Sequence, residues 1–238
     1  MAQPAQLWCC SVAEILRRVP DPGARWLSPE EDQRLAGITG PRRRDQFLAG
    51  RWLVRLALAA RHGGAPRDWH LSAPPDGPPR VTGGPVACTC VVRLSHSGDT
   101  LACVLSGGAL GIDVERHDRR AMDAPGFADI ALSDAERERW LALPETSRGV
   151  GLLAWWTLKE AWLKAHGRAL NPAELRNIEA LPVDARKANA RLWHEADFTI
   201  ALVGLEAAAP LHVASRAPCS TAQWWSVSEV SPASCAAV

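Results

Sequence analysis

This sequence predicts an α+β fold in which one order of elements, helix, helix, strands, occurs twice. Three observations carry the prediction. Ser28-Pro29-Glu30-Glu31 and Ser133-Asp134-Ala135-Glu136 are both capping-box signatures, each ahead of a helical stretch. A long helical segment follows each of them, over 42–61 and over 149–166. Strand-like stretches then come in runs and do not alternate with the helices, which argues against a βαβ sheet. The residues themselves show no repeat, so the echo is one of element order. The expected division is an N-terminal subdomain, 1–110, and a C-terminal subdomain, 111–238.

Each element has a local reason. Ser28 caps the first helix, Pro29 suits its first turn, and Glu31 completes the box. The stretch RRRDQFLAGRWLVRLALAAR, 42–61, reads as one long helix closed by Gly63-Gly64. Residues 72–85 contain five prolines and three glycines and are expected to be loop. A strand is expected over 86–94. LACVL, 101–105, and ALGIDVE, 109–115, read as two strands joined by Ser106-Gly107-Gly108, a hairpin signal. After the Ser133 box, the helix over 149–166 ends at Gly167. Residues 175–214 offer weaker strands, with FTIALVGL the clearest. The tail from about 217 is rich in Ser, Ala and Pro and is expected to pack poorly.

Composition narrows the function classes. Of the 238 residues, 47% are apolar and 22% charged, an ordinary balance for a soluble domain with a sizeable core. No apolar run is long enough to span a bilayer, and the first twenty residues lack the basic and apolar regions of a signal peptide. A cytoplasmic protein is expected. The seven cysteines form no CxxC pair, so no zinc site is read, and reduced, mostly buried thiols are expected. Arg outnumbers Lys 24 to 3, a bias that suggests a GC-rich genome. Net charge is +1, with residues 1–110 at +4 and 111–238 at −3. Neither value suits bulk nucleic-acid binding, and the basic first half suits an anionic ligand or an acidic partner.

Three stretches could carry chemistry. In GIDVERHDRR, 111–120, Asp113 and Glu115 share one face of a strand. Like charges that close raise each other's pKa. Either the arginines that follow, Arg116, Arg119 and Arg120, neutralise them, or a divalent cation does. In WWTLKEAWLKAHG, 155–167, Lys159 falls inside an apolar arc, where it must snorkel to water or meet an anion. Glu160 and Lys164 lie one turn apart on the next face, which also describes an ordinary i,i+4 ion pair. In RLSHSGDT, 93–100, Ser95, His96 and Ser97 precede a Gly-Asp turn. A structural turn and a phosphate-binding loop both fit, whereas adjacent Ser and His in an extended chain point apart. Arg44, Arg51, Arg55 and His62 share one face of the long helix, either as a solvated stripe or as phosphate ligands. The sequence contains neither a Walker loop nor a G-x-G-x-x-G.

Together GIDVE (111–115), WTLKEAWLK (156–164) and LSHS (94–97) resemble the signature blocks of the 4′-phosphopantetheinyl transferases, large surfactin-type class, in order and separation. The resemblance runs from about residue 40 to 170. It implies a pseudo-two-fold arrangement of two similar α/β subdomains with the coenzyme A site in a cleft between them, and a monomer. The implied activity moves the phosphopantetheine arm of coenzyme A onto a serine of an acyl, peptidyl or aryl carrier protein and releases adenosine 3′,5′-bisphosphate.

Residue by residue, the resemblance implies that Asp113, Glu115 and Glu160 bind Mg²⁺. Glu160 would also serve as general base, and Lys159 and Lys164 would sit at the pyrophosphate. Ser95, His96 and Arg55, with Arg51 as a helper, would meet the 3′-phosphate. Near the adenine, DGPPRV matches the family at Gly77 and Pro79, but Pro78 replaces a basic residue that Arg80 would supply from a shifted position. The nucleophile belongs to the carrier, so neither Ser95 nor Ser97 is expected to act as one. Two other readings use the same residues: a binder of coenzyme A or carrier protein without activity, and a Mg²⁺-dependent hydrolase of a nucleotide diphosphate. The sequence does not distinguish peptide, polyketide, siderophore and fatty-acid carriers.

Overall fold

The computed structural model describes residues 4–21, 24–74, 77–118, 126–204, 209–213, 218 and 220–230. In chain order the elements begin β1 (Ala5–Ser11), α1 (Val12–Leu16), α2 (Pro29–Ala36) and α3 (Pro41–His62). Next come β2 (His70–Ser72), β3 (Arg80–Gly83), β4 (Val91–Ser97), β5 (Thr100–Ser106) and β6 (Leu110–Arg116). The helices α4 (Phe127–Ala131), α5 (Asp134–Leu141), α6 (Glu145–Ala165) and α7 (Pro172–Leu175) follow. The strands β7 (Ile178–Pro182), β8 (Ala190–His194), β9 (Phe198–Gly204), β10 (Leu211–Val213) and β11 (Gln223–Glu229) complete the order. Helices and sheets are mixed without βαβ alternation, so the fold is α+β.

The chain divides into two compact units, one of residues 1–110 with 209–217, the other of 111–208 with 218–238. In the first, the sheet order is β10-β1-β5-β4, and β2 and β3 form a separate ribbon. Leu53, Val54, Ala57 and Leu58 of α3 pack on Leu101, Cys103 and Leu105 of β5, with Trp26, Trp52 and Trp69 filling the same core. In the second, the order is β6-β9-β8-β11-β7. There α6 places Leu153, Trp155 and Trp162 among Ile178, Leu192, Val203, Trp225 and Val227. Among the described residues no helix is long and apolar enough to cross a membrane.

Both capping boxes form. Ser28 accepts from the Glu31 amide while Glu31 accepts from the Ser28 amide, and Ser133 and Glu136 do the same. The long helices end where Gly63 and Gly167 turn the chain at positive φ, 86° and 66°.

Several expectations fail for identifiable reasons. LACVL and ALGIDVE are not a hairpin, because β5 pairs with β4 and β1 while β6 pairs with β9 in another sheet. The hairpin lies one strand earlier, where β4 and β5 meet across Gly98-Asp99, with Gly98 at φ 60°. The strand expected over 86–94 forms over 91–97. Within the proline-rich stretch, Arg80–Gly83 pairs with His70–Ser72. The N-terminal strand β1 was not anticipated, although it lies between β10 and β5. The tail is the largest correction. Residues 223–229 lie between β8 and β7, with Trp225 and Val227 inward and Asn189 bonded to both the N–H and the C=O of Val227. Residues 231–238 of the tail lie outside the described residues.

The echo of element order reaches into the interior. Each capping-box glutamate is fully buried and meets a cation from the long helix that follows. Arg55 donates to Glu31 through Nη1 at 3.0 Å and Nη2 at 2.6 Å, and through Nε to the Trp69 carbonyl. Lys159 donates to Glu136 at 2.5 Å and to the carbonyls of Ala131 and Leu175. Arg55 and Lys159 each occupy the fifteenth position of their helix. Removing one partner of such a pair leaves a buried charge uncompensated. Arg55→Met in the first unit and Lys159→Met in the second should each cost about 3–5 kcal/mol. Urea unfolding checks this, and a loss below about 1 kcal/mol would show that the pairs do not tie the helices together.

Candidate active site

Asp113 and Glu115 reach their place because β6 runs directly against the backbone of α6. A Cβ on Gly111 would lie 1.9 Å from the Ala161 carbonyl oxygen and 2.5 Å from the Ala165 nitrogen, so only glycine permits this approach. Two residues on, Asp113 faces the helix, and Glu115 follows on the same side. Ile112 and Val114 point the other way and are fully buried. On α6, Glu160 completes the group. One carboxylate oxygen from each of Asp113, Glu115 and Glu160 lies within 4.8 Å of the other two.

Lys164 is the cation of this cluster. Its Nζ donates to Asp113 Oδ1 at 2.5 Å and lies 3.5 Å from Glu160 Oε2. Burial works to lower its pKa, but Asp113 and Glu160 outweigh that and hold the ammonium above the ordinary lysine value. Trp156 Nε1 donates to Glu115 Oε1 at 3.4 Å. Among the described residues, the three carboxylates surround the Lys164 ammonium, and Arg119 and Arg120, expected above as neutralising groups, lie outside the described residues. The Asp113 and Glu115 side chains are nearly enclosed, while Glu160 is 15% exposed. An all-oxygen set of this kind fits a hard divalent cation such as Mg²⁺, which uses one or two carboxylates and completes its shell with water and phosphate oxygens.

Lys159 does not join this group. With no exposed surface and three acceptors, it holds α6 to Glu136, to the Ala131 carbonyl at the end of α4 and to the Leu175 carbonyl at the end of α7, and it presents no exposed surface for the pyrophosphate contact expected of it. Burial pushes its pKa down and that of Glu136 up, each opposed by the charge of the other.

In the first unit the arginine row has structural uses. Arg44 donates to the carbonyls of Leu35 and Ile38 at the end of α2. Arg51, buried, donates to the Ser72 carbonyl and lies 3.8 Å from Glu31. Burial lowers its pKa to about 10. Arg55 is fully enclosed, and Nε, Nη1 and Nη2 all donate within the protein, so it presents no surface to a phosphate. His96 is half-buried, and its Nε2 accepts from Arg43 Nη1 at 3.1 Å. Ser95 is buried, Gly77 exposed at φ 133°, and Pro79 buried. Arg80 is exposed on β3 and near enough to Arg93 to help burial lower the Arg93 pKa.

Sequence reasoning did not single out Arg43, the arginine that reaches His96. It also missed the use of Glu136. Only the capping-box spacing signalled Glu136, and it said nothing of Lys159.

Residues 109–216 match the family model described as the 4′-phosphopantetheinyl transferase superfamily. That span begins just ahead of β6 and contains all four charged residues of the cluster. The chain is also 26% identical, over 188 residues covering 79% of its length and 78% of the relative, to the 4′-phosphopantetheinyl transferase HetI of Nostoc sp. strain PCC 7120. Both comparisons support a phosphopantetheinyl transferase.

The close approach at Gly111 generates a prediction. In Gly111→Ala the added methyl meets helix backbone, which cannot rotate away. Stability should fall by about 1–3 kcal/mol, and Mg²⁺ binding measured by titration calorimetry should weaken or vanish. Unchanged binding would mean that the acids do not depend on the strand–helix spacing.

Proposed function

We propose that this protein transfers the 4′-phosphopantetheine arm of coenzyme A to a serine hydroxyl of an acyl, peptidyl or aryl carrier protein, as a transferase of the large surfactin-type class. The observation that carries the reading is the convergence of Asp113, Glu115 and Glu160 beside Lys164. Mg²⁺ held by the three carboxylates would neutralise charge on the pyrophosphate and orient it. The residues of the chain do the rest. Lys164, a third exposed, exchanges part of its contact with Asp113 for a pyrophosphate oxygen and stabilises the leaving phosphate. Glu160, more exposed than the other two acids, takes the proton of the incoming serine, directly or through water. The serine oxygen forms a bond to the phosphorus bearing the pantetheine arm, the bond to the bridging oxygen breaks, and adenosine 3′,5′-bisphosphate leaves.

Among the residues of the first unit, His96 with Arg43 is the pair best suited to the 3′-phosphate, since both are near the surface and a dianion can displace their mutual hydrogen bond. Ser95 stands beside His96 on β4, and in this reading Arg80 of β3, with Gly77 and Pro79 ahead of it, would serve the adenine end. Arg51 acts through Ser72 and Glu31 in this reading.

Intact-protein mass spectrometry of an apo carrier with coenzyme A and Mg²⁺ tests the reaction. The expected result is a mass gain of one phosphopantetheine arm, lost with chelator and lost in Asp113→Ala and Glu160→Ala. Full activity in Asp113→Ala would overturn the metal assignment. Breakdown of coenzyme A without any carrier would instead indicate a hydrolase. His96→Ala should raise the KM for coenzyme A by tenfold or more, about 1.4 kcal/mol, with a smaller change in kcat. A KM equal to that of the parent would remove His96 from the ligand.

A further inference from the structure

Nothing in the chemistry above uses His62, Cys88 or Cys90. His62 is the last residue of α3, and the cysteines lie in the unpaired segment that enters β4. One ligand atom from each lies within 4.8 Å of the other two. His62 Nε2 is 3.5 Å from Cys88 Sγ, and the two sulfurs are 2.9 Å apart. The Cys90 N–H points at Cys88 Sγ, at 3.5 Å.

The surrounding chain is shaped to hold this group. Gly64, at φ 77°, packs so closely on Pro85 that a Cβ would lie 2.3 Å from the proline ring. Gly84 lies against Trp69, where a Cβ would come within 2.4 Å of the indole. Trp69, fully buried, has its ring 5.7 Å from that of His62 and donates from Nε1 to the Gly63 carbonyl. Two glycine contacts and one indole therefore fasten the end of α3 to the segment carrying the thiols.

The geometry points to a second metal site, formed by His62, Cys88 and Cys90, that takes a zinc-type divalent ion. Thiolate and imidazole are borderline-soft ligands, which separates this site from the all-oxygen cluster of the other unit. Tetrahedral zinc, with bonds of about 2.3 Å to sulfur and 2.0–2.1 Å to nitrogen, needs N···S near 3.6 Å and S···S near 3.8 Å. His62 Nε2 and Cys88 Sγ already stand at the first distance, at 3.5 Å, and the two sulfurs, 2.9 Å apart, would have to separate by about 0.9 Å on binding. Binding releases two thiol protons to solvent, and water completes the tetrahedron. The bound ion would join the end of α3 to β4, the strand that carries Ser95 and His96, so it braces the anion-binding pair without touching it.

The full chain, reduced and stripped of metal, is titrated with Co²⁺ alone and then with Zn²⁺. The expected result is one Co²⁺ per chain giving thiolate-to-cobalt charge-transfer absorption, which Zn²⁺ abolishes, together with a rise in thermal midpoint on adding Zn²⁺. Carboxylate-bound cobalt gives no such absorption, so Asp113→Asn should leave it intact, as should the Cys219→Ser/Cys235→Ser double variant. Cys88→Ser and Cys90→Ser should each lose it, and His62→Ala should weaken it. Variants that fold poorly do not decide the matter alone, because the parent protein gives a second readout. Zn²⁺ should protect Cys88 and Cys90 from alkylation mapped by peptide mass. Absence of the charge-transfer band, its survival without both cysteines, or alkylation unaffected by Zn²⁺ would overturn the site. So would a Cys88–Cys90 disulfide in the isolated protein whose reduced form takes up no metal.

Discussion

A buried carboxylate at a helix start is the constraint on which much of this architecture depends. Glu31 and Glu136 each cap their own helix, and each is fully enclosed. An enclosed carboxylate is tolerable only if a cation and hydrogen-bond donors surround it. Glu136 obtains them from Lys159, the Ser133 amide and the Ala180 amide, so one side chain ties α5, α6 and β7 together. This also fixes the rotation of α6. With Lys159 pointing into the core, Glu160 and Lys164, about 100° and 140° around the helix, are left to face β6. The clustered acids are therefore aligned by an ion pair that never touches them.

The two cations of α6 show how position decides role. Lys159 and Lys164 are five residues apart, and both meet carboxylates. Lys159 has no exposed surface, and burial depresses its pKa despite Glu136. Lys164 is a third exposed, and the acids around it win over burial. The first is locked by three acceptors and cannot exchange them. The second shares two carboxylates, one at 3.5 Å, and keeps a third of its side chain exposed.

Much of this was legible in the sequence, and the unreadable part has a pattern. Local signals served well: both capping boxes, both long helices and their terminal glycines follow from residues within one turn of each other. The acids of GIDVE and the Glu160–Lys164 pair were also readable as spacings. What depended on distant chain segments was not. The pairing of β11 between β8 and β7 falls in a tail expected to pack poorly, because Trp225 and Val227 stand in a stretch dominated by Ser, Ala and Pro. Arg55 and Lys159 matched a family pattern by position, yet their partners, Glu31 and Glu136, lie 24 and 23 residues away. The thiols at 88 and 90 lacked the spacing of a familiar zinc motif, and only the fold brings His62 to them.

The choice of cation at the two equivalent positions follows from the acceptors available. This chain uses arginine 24 times and lysine 3 times, yet two of the lysines are at 159 and 164. Arg55 faces both oxygens of one carboxylate, with a carbonyl set to its side, which suits a planar fork. Lys159 faces one carboxylate oxygen and two carbonyls from different segments, an arrangement that suits three donors on a single nitrogen. A guanidinium there would need to push its plane between Ala131 and Leu175, both fully buried. At 164 a compact ammonium leaves room at the carboxylates for another ligand, whereas a bidentate guanidinium on Asp113 would occupy both of its oxygens and close the cluster.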